Sequence, residues 1–224
     1  MTEKRKALEK FITPKGTAVY PQLTKPDTKF KANGEYSAKV RLSEEDAAPL
    51  MARIDVLIEQ TYKAEQERLI ASGKKAAAKT LKYADKPYKV VRDAEGDETG
   101  EIEFNVKMNA QYTDKKTGNV VTLKPKLFDA ATPPNPLPTS VQIWGGSIIK
   151  VAGEFNPFAT AIGVGMSLRL SAVQVIKLVS GGSGGDASSF GFGGEEGGFE
   201  IEGSEFNDKD EAGTSEEPDG TDEF

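Results

Sequence analysis

The side chains able to do covalent or metal chemistry form a short set in this 224-residue chain, which has neither His nor Cys. Without imidazole there is no Ser-His-Asp triad, no base titrating near neutral pH and no His-ligated metal. Without thiols there is no disulfide frame, thiolate nucleophile or Cys-type zinc site, a composition that suits a reducing compartment such as a bacterial cytoplasm. Carboxylates, Lys, Ser, Tyr and an oxygen-ligated divalent ion remain. Glu101, Glu103, Asp114 and Asp129 are the candidates for magnesium-dependent phosphoryl chemistry of the nuclease kind. Glu101 and Glu103 share a strand face at i and i+2, but Asp114 belongs to a turn and no third convergent ligand is evident. The expectation is therefore a non-catalytic protein with no metal and no cofactor.

Cations and rings offer a different chemistry, that of holding a polyanion. Lys39, Arg41, Lys107, Lys124, Lys126, Lys150 and Arg169 all fall on the parity opposite the apolar face of their own strand, with few acids beside them, chiefly Glu103. A merely solvated face mixes signs; this excess reads as an electrostatic path for a polyanion. Unpaired bases also need aromatic platforms, each stack being worth about 1–3 kcal/mol. Tyr20, Phe30, Trp144, Phe155 and Phe158 are the rings not committed to the dry face. Glu154-Phe155-Asn156-Pro157-Phe158 reads as a tight connection from which Phe155 and Phe158 project for stacking, a place in the core being the alternative for both. Trp144, before Gly145-Gly146, reads as core or barrel rim. Tyr112 lies at a strand end beside Lys115 and Lys116, in reach of the same ligand.

The elements that must place these groups are mostly strands. Tyr36, Ala38, Val40 and Leu42 alternate with Ser37, Lys39 and Arg41, and the longest clean alternation runs from Ile102 to Tyr112. Asp114-Lys115-Lys116-Thr117-Gly118 supplies hairpin chemistry, with a return strand from Asn119 to Phe128 that Pro125 marks as edge or bulge. Further strands are expected at Thr17 to Tyr20, Val141 to Trp144, Ile148 to Phe155 and Ala161 to Val179. One amphipathic helix, carrying Leu50, Ile54, Leu57, Ile58, Tyr62 and Leu69 on one stripe, starts after a Ser43 cap or nearer Pro49 and covers one mouth of the sheet. Ser72 to Lys86 reads as a mobile basic connection, and Ala131 to Pro138 as an extended loop. The expected fold is mainly β, a small antiparallel five-stranded barrel with Greek-key connections, extra strands and one capping α-helix. A β-sandwich virion component would explain the strands but not the basic parity.

Charge divides the chain at about Ser180. Residues 1–180 carry 28 Lys or Arg against 21 Asp or Glu, whereas 181–224 carry 14 acids and one Lys, with 12 of the 23 glycines. Such a segment buries too little apolar surface to offset its ordering entropy, so 1–180 is expected to be the folded domain and 181–224 a disordered Gly-rich acidic tail. Asp222, Glu223 and Phe224 offer a partner protein a charged and aromatic anchor. A tethered polyanion would also compete with DNA for the basic face. No apolar run is long enough to span a bilayer and Met1 to Phe11 is too charged for a secretory leader, so a membrane partner is not expected.

The order of several motifs resembles the single-stranded DNA-binding proteins of tailed bacteriophages, in particular those of the short-tailed coliphage group. The resemblance is carried by Gly16-Thr17-Ala18, Lys25-Pro26-Asp27, Asp114-Lys115-Lys116-Thr117, the Ile143 to Val151 stretch with Gly145-Gly146-Ser147 and Lys150, Thr160-Ala161-Ile162-Gly163, and the acidic tail ending in Phe. It implies an OB-type barrel, a tail that docks replication enzymes such as polymerase, helicase or primase, and a DNA contact by the aromatic just before Thr-Ala, the place of Phe158. It also implies sequence-nonspecific binding of single-stranded DNA in replication, recombination and repair, in the cytoplasm of the infected bacterial host. Tail exchange between protomers makes a homodimer possible. The helix here follows an early strand rather than the third, so a variant topology is expected.

Overall fold

Alternation commits each strand to one dry and one wet side, and in the computed structural model those sides become the inside and outside of a barrel. Residues 7–29, 31–138 and 140–179 are described. Phe30 and segment 180–224, with the expected disorder of the tail and the contact of Asp222, Glu223 and Phe224, lie outside the described residues. In chain order the elements are β1 (Lys10–Ile12), β2 (Gly16–Asp27), β3 (Glu35–Ser43), α1 (Glu44–Ala71), α2 (Lys75–Lys79), β4 (Tyr88–Arg92), β5 (Glu98–Asn109), β6 (Gln111–Thr113), β7 (Val120–Thr122), β8 (Lys126–Phe128), β9 (Ile148–Thr160) and β10 (Gly163–Lys177).

Five strands close on themselves in the order β2-β3-β5-β10-β9 and back to β2. Four of these seams are antiparallel and the β5–β10 seam is parallel, the strand arrangement of an OB-type Greek-key barrel. Three short strands extend the ring: β1 beside β9, β4 beside β5 and β8 beside β10. The interior is filled by Val40, Phe104, Val106, Ile149, Val151, Leu168 and Leu170, all essentially sealed from water. Each such branched or aromatic side chain contributes about 1.5–3 kcal/mol by leaving water.

The helix begins at the Ser43 cap rather than at Pro49. The Asp46 backbone N–H donates to Ser43 Oγ at 3.1 Å, and Glu44, Glu45 and Asp46 place negative charge at the positive end of the helix. Ala47, Leu50, Ile54 and Ile58 are buried and join the barrel's core cluster, so α1 closes the interior against β3, β5, β9 and β10. It follows β3, the second of the five ring strands in chain order, and so comes before the third ring strand, as expected. No helix of the described residues is long and apolar enough to cross a membrane.

Several expectations are corrected. The Ser72 to Lys86 connection is pinned rather than mobile: it contains α2, Tyr83 stacks on Tyr62 with centroids 4.3 Å apart, and its hydroxyl donates to Glu59 at 2.6 Å. That bond holds the phenol's pKa up, to about 12. Lys82 and Ala84 exchange backbone hydrogen bonds with Val164 across an isolated bridge at Tyr83. The long Ile102 to Tyr112 alternation breaks at Ala110, and its return strand splits into β7 and β8 around Pro125, which has no N–H for the ladder. Val141 to Trp144 forms no strand, although Ile143 is buried. The Glu154 to Phe158 stretch is not a corner: β9 runs through it to Thr160, and the turn falls at Ala161-Ile162.

Gly153 marks the tightest inward approach on β9. A Cβ there would sit 2.3 Å from the Arg169 carbonyl oxygen and 2.7 Å from the Phe11 ring. Gly153→Ala should therefore lower unfolding free energy by about 1–3 kcal/mol in urea titrations. Gly145→Ala, whose Cβ would meet nothing closer than 3.8 Å, should stay within about 0.5 kcal/mol.

Candidate nucleic-acid interface

Register carries charge across the outer face of the barrel. Ser37 on β3 opposes Lys107 on β5, Lys107 lies beside Arg169 on β10, Arg169 opposes Glu154 on β9, and Glu154 opposes Lys10 on β1. This single cross-strand row holds three cations and one carboxylate. Arg169 Nη1 is 3.9 Å from Glu154 Oε2, while Lys107 has no acidic partner among the described residues.

At Lys107 and Arg169 a groove of about 250 Å3 opens, lined also by Lys31, Glu35, Asn109, Tyr112, Asn156 and Ser167, with Met108, Leu123 and Leu168 as its apolar part; Lys31 is ion-paired with Glu35 inside it. The break at Ala110 explains how Tyr112 arrives there. Ala110 N donates to Gly34 O and Leu123 N donates to Ala110 O, which anchors the β6–β7 hairpin beside the barrel rather than within its sheet. The Tyr112 ring is exposed. Asp114 shapes the hairpin tip, its carboxylate accepting from Lys116 N at 2.8 Å and its carbonyl from Gly118 N, and Gly118 supplies the positive φ of 73° that the turn needs. Lys115 and Lys116 stand exposed at that tip. Asn156 Nδ2 donates to Ser167 Oγ at 3.0 Å across the β9–β10 pair, setting two polar groups in the groove wall.

Further along the same outer parity of β5, Glu103 is 4% exposed and gathers three cations: Lys39 at 3.1 Å, Arg41 at 3.2 Å and Lys89 at 3.4 Å. Burial pushes the Glu103 carboxyl up. The hydrogen bonds from Lys39 and Arg41 and the charges of Lys39 and Lys89 outweigh it and hold the group below the usual carboxylate range. Lys39 and Arg41 thus lie on the outer parity of β3, but as members of a cluster of three cations and two carboxylates, Glu103 and the Glu101 that lies 4.0 Å from Arg41, rather than as free cations.

The predicted residues separate into groups. Lys107, Tyr112 and Arg169 line one groove. Lys124 and Lys126 border a different, more apolar hollow with Thr24, Phe128 and Pro136 to Pro138, and Lys150 borders another with Phe128 and Gln174. Phe155 is corrected: at 3% exposure and 5.0 Å from the Phe11 ring it belongs to the core, because β9 continues and its inward parity, shared with Ile149 and Val151, reaches Phe155. Phe158 keeps the outward parity of Asn156, half-buried across Gly165, where a Cβ would lie 2.7 Å from its ring. Sequence reading missed Lys10, Lys31, Lys89, Asn109 and Asn156. The unbroken outward parity of Lys150, Glu154 and Asn156 was the available signal for the last.

The four carboxylates weighed for metal chemistry do not meet. Asp114 serves its turn, and Glu101 and Glu103 answer arginine and lysine. Asp129 is held below the usual carboxylate range by backbone and side-chain bonds from Asn135. No group of three or more potential acidic ligands occurs among the described residues. Because the folded pKa of Glu103 is depressed, its contribution to stability is present above the unfolded carboxylate pKa and is lost as pH falls through the folded value. Glu103→Gln should cost about 2 kcal/mol at pH 7 and flatten the acid limb of the stability profile, measured by urea unfolding between pH 3 and 7.

The chain and its fold have known relatives. The family of the bacteriophage T7 single-stranded DNA-binding protein matches residues 15–178. The crystal structure of gp2.5, a single-stranded DNA-binding protein encoded by bacteriophage T7, superposes with a TM-score of 0.66 at 24% identity, covering 87% of this chain and 100% of that one. The single-stranded DNA-binding protein of bacteriophage Enc34 in complex with single-stranded DNA gives 0.52 at 16% identity over 76% and 88% of the two chains. No curated protein sequence matches significantly. With the match running through the whole barrel, the chain belongs to the phage T7-type family of single-stranded DNA-binding proteins, a non-enzymatic class.

Proposed function

We propose that this protein binds single-stranded DNA along the outer barrel face, with phosphates on Lys107 and Arg169 and bases against Tyr112 and Phe158. The observation that carries the reading is the pairing of Lys107 with Arg169 in one groove beside an exposed ring. Cations that follow a backbone and rings that accept any base give affinity without sequence preference. The Glu103 cluster, with Lys39, Arg41 and Lys89, extends the positive track, and the exposed Lys115 and Lys116 lie at the hairpin tip above the groove's Tyr112. Lys124, Lys126 and Lys150 add attraction at a distance.

The role follows from that activity: protection of unpaired DNA during phage replication, recombination and repair in the cytoplasm of the infected bacterium. Segment 181–224 recruits replication proteins, polymerase, helicase or primase, through Asp222, Glu223 and Phe224. Its 14 acids against one Lys make it an intramolecular competitor for the basic face.

With about four to six phosphates neutralised, log affinity for single strands should fall with log salt at a slope of about −3 to −4. The Lys107→Gln, Arg169→Gln double variant should bind labelled oligothymidylate at least about tenfold more weakly and reduce that slope by about 1.4. Its thermal midpoint should not drop, since adjacent like charges are being removed. Unaltered affinity in that variant overturns the groove. Deleting 181–224 should tighten binding at low salt; equal affinity of the full and shortened chains would end the competition proposal while leaving the groove untouched.

A further inference from the structure

Tyr20 is the only non-glycine described residue with a positive φ, +47°. Parity along β2 places Gly16 and Ala18 inside the barrel and would send Tyr20 the same way. It does not go there. Between the Val19–Lys39 and Gln22–Ser37 pairs, β2 spends one residue more than β3, and this bulge with its left-handed backbone turns the ring outward to 79% exposure. A bulky residue in that conformation costs about 1–3 kcal/mol and persists only where the surroundings impose it. The fold recovers little of that through Tyr20: the ring has no core contact, its hydroxyl has no hydrogen-bond partner among the described residues, and its one charged neighbour is the Lys39 ammonium.

A second exposed ring is carried by a turn whose backbone is bonded to the same strand. Trp144 opens a tight turn in which Ser147 N donates to Trp144 O, with Gly146 at φ +86°. Gly146 N donates to Ala18 O and Ala18 N donates to Ser147 O, so the turn is bonded to β2 two residues before Tyr20. The buried Ser147 hydroxyl accepts from Val179 N at 3.0 Å and fixes the turn from behind. Gly145 passes the Tyr20 backbone, where even a Cβ would remain 4.0 Å from Tyr20 N. Trp144 is 45% exposed and its indole N–H has no partner among the described residues. Lys39 supplies the third component, its Nζ 6.0 Å from the Tyr20 ring centroid. Lys39 and Ser37 are successive outward residues of β3, and Ser37 opposes Lys107, so a chain of outward groups leads from the groove to Tyr20.

We propose that Tyr20 and Trp144 form a second stacking platform for unpaired nucleobases, reached from the Lys107–Arg169 groove across Lys39. The inference rests on the single-stranded DNA reading and adds to it a subsite at the β2 bulge. Two exposed π faces suit any base, and Lys39, shared between Glu103 and the Tyr20 ring, supplies a cation for the phosphate between the two subsites.

The test uses the full chain and two independent readouts: polarisation of a labelled oligothymidylate for affinity, and the emission of Trp144, the sole tryptophan. Saturating single strands should quench that emission, and a duplex of equal length at equal concentration should not. Tyr20→Gly should weaken single-strand affinity about tenfold while leaving the thermal midpoint unchanged or higher, since glycine adopts φ +47° without strain. Wild-type polarisation that reports tight binding, with Trp144 emission unmoved and Tyr20→Gly of equal affinity, overturns the platform and spares the groove. A wild-type chain that fails to bind the oligonucleotide at low salt overturns the underlying reading instead.

Discussion

Two like charges held side by side across a parallel seam set the terms for the rest of this barrel. Closing five strands into a ring requires β5 to lie alongside β10, and the register of that seam puts Lys107 next to Arg169. Neighbouring strands stand about 4.8 Å apart, so the two side chains leave the surface within reach of each other. Like charges in such positions cost stability. Glu154 offsets Arg169 from one side at 3.9 Å, but nothing among the described residues answers Lys107. A face arranged only for stability would place an acid at one of these positions. The surplus is what an anionic ligand would neutralise, and the apolar interior behind it is sufficiently well filled to hold both groups in register without it.

Glu103 shows the opposite way of keeping cations on a sheet. A carboxylate at 4% exposure survives there because Lys39, Arg41 and Lys89 supply what water would have supplied. In exchange the three long side chains lose much of their freedom, which lowers the entropic cost of any later contact they make. The cluster still carries more positive than negative charge. Lys39 links it to the exposed ring of Tyr20, so a single lysine belongs both to the fold's electrostatics and to the edge of the face. Replacing Glu103 therefore disturbs more than one carboxylate's worth of structure: it releases the cations that define one end of the track.

Parity in the sequence was enough to place Lys39, Arg41, Lys107 and Arg169 on the outer face, because a period-2 pattern bound to a buried interior leaves each strand a single acceptable orientation. The barrel and the helix stripe of Leu50, Ile54 and Ile58 were legible for the same reason, while Ser43 and Pro49 both stood as starts for that helix. What failed was reading a local signal against a longer one. Asn156-Pro157 looked like a turn and made Phe155 a projecting ring, yet the inward alternation from Ile149 through Val151 and Gly153 already claimed Phe155 for the core. Tyr83, a lone ring in a lysine-rich stretch, was the missed sign that Ser72 to Lys86 docks against α1 and β10. Lys31 reaches the groove only through tertiary closure, which no periodicity encodes.

Tyr20 presents the reverse case, in which parity alone gives the wrong side. Its backbone departs from the β region, and that departure cannot be seen in residue types, since tyrosine has no preference for the left-handed conformation. Only the pairing of β2 with β3 shows that one residue too many has been fitted between Val19 and Gln22. A bulge at this point has two effects at once. It carries Leu23 to the interior, where it is sealed from water, and it frees Tyr20 from the alternation that would have buried it. The same extra residue thus completes the core and equips the outer face. Sequence drift that removed it would slip every residue of β2 beyond Val19 to the opposite side, so the position of the ring is tied to the closure of the barrel itself.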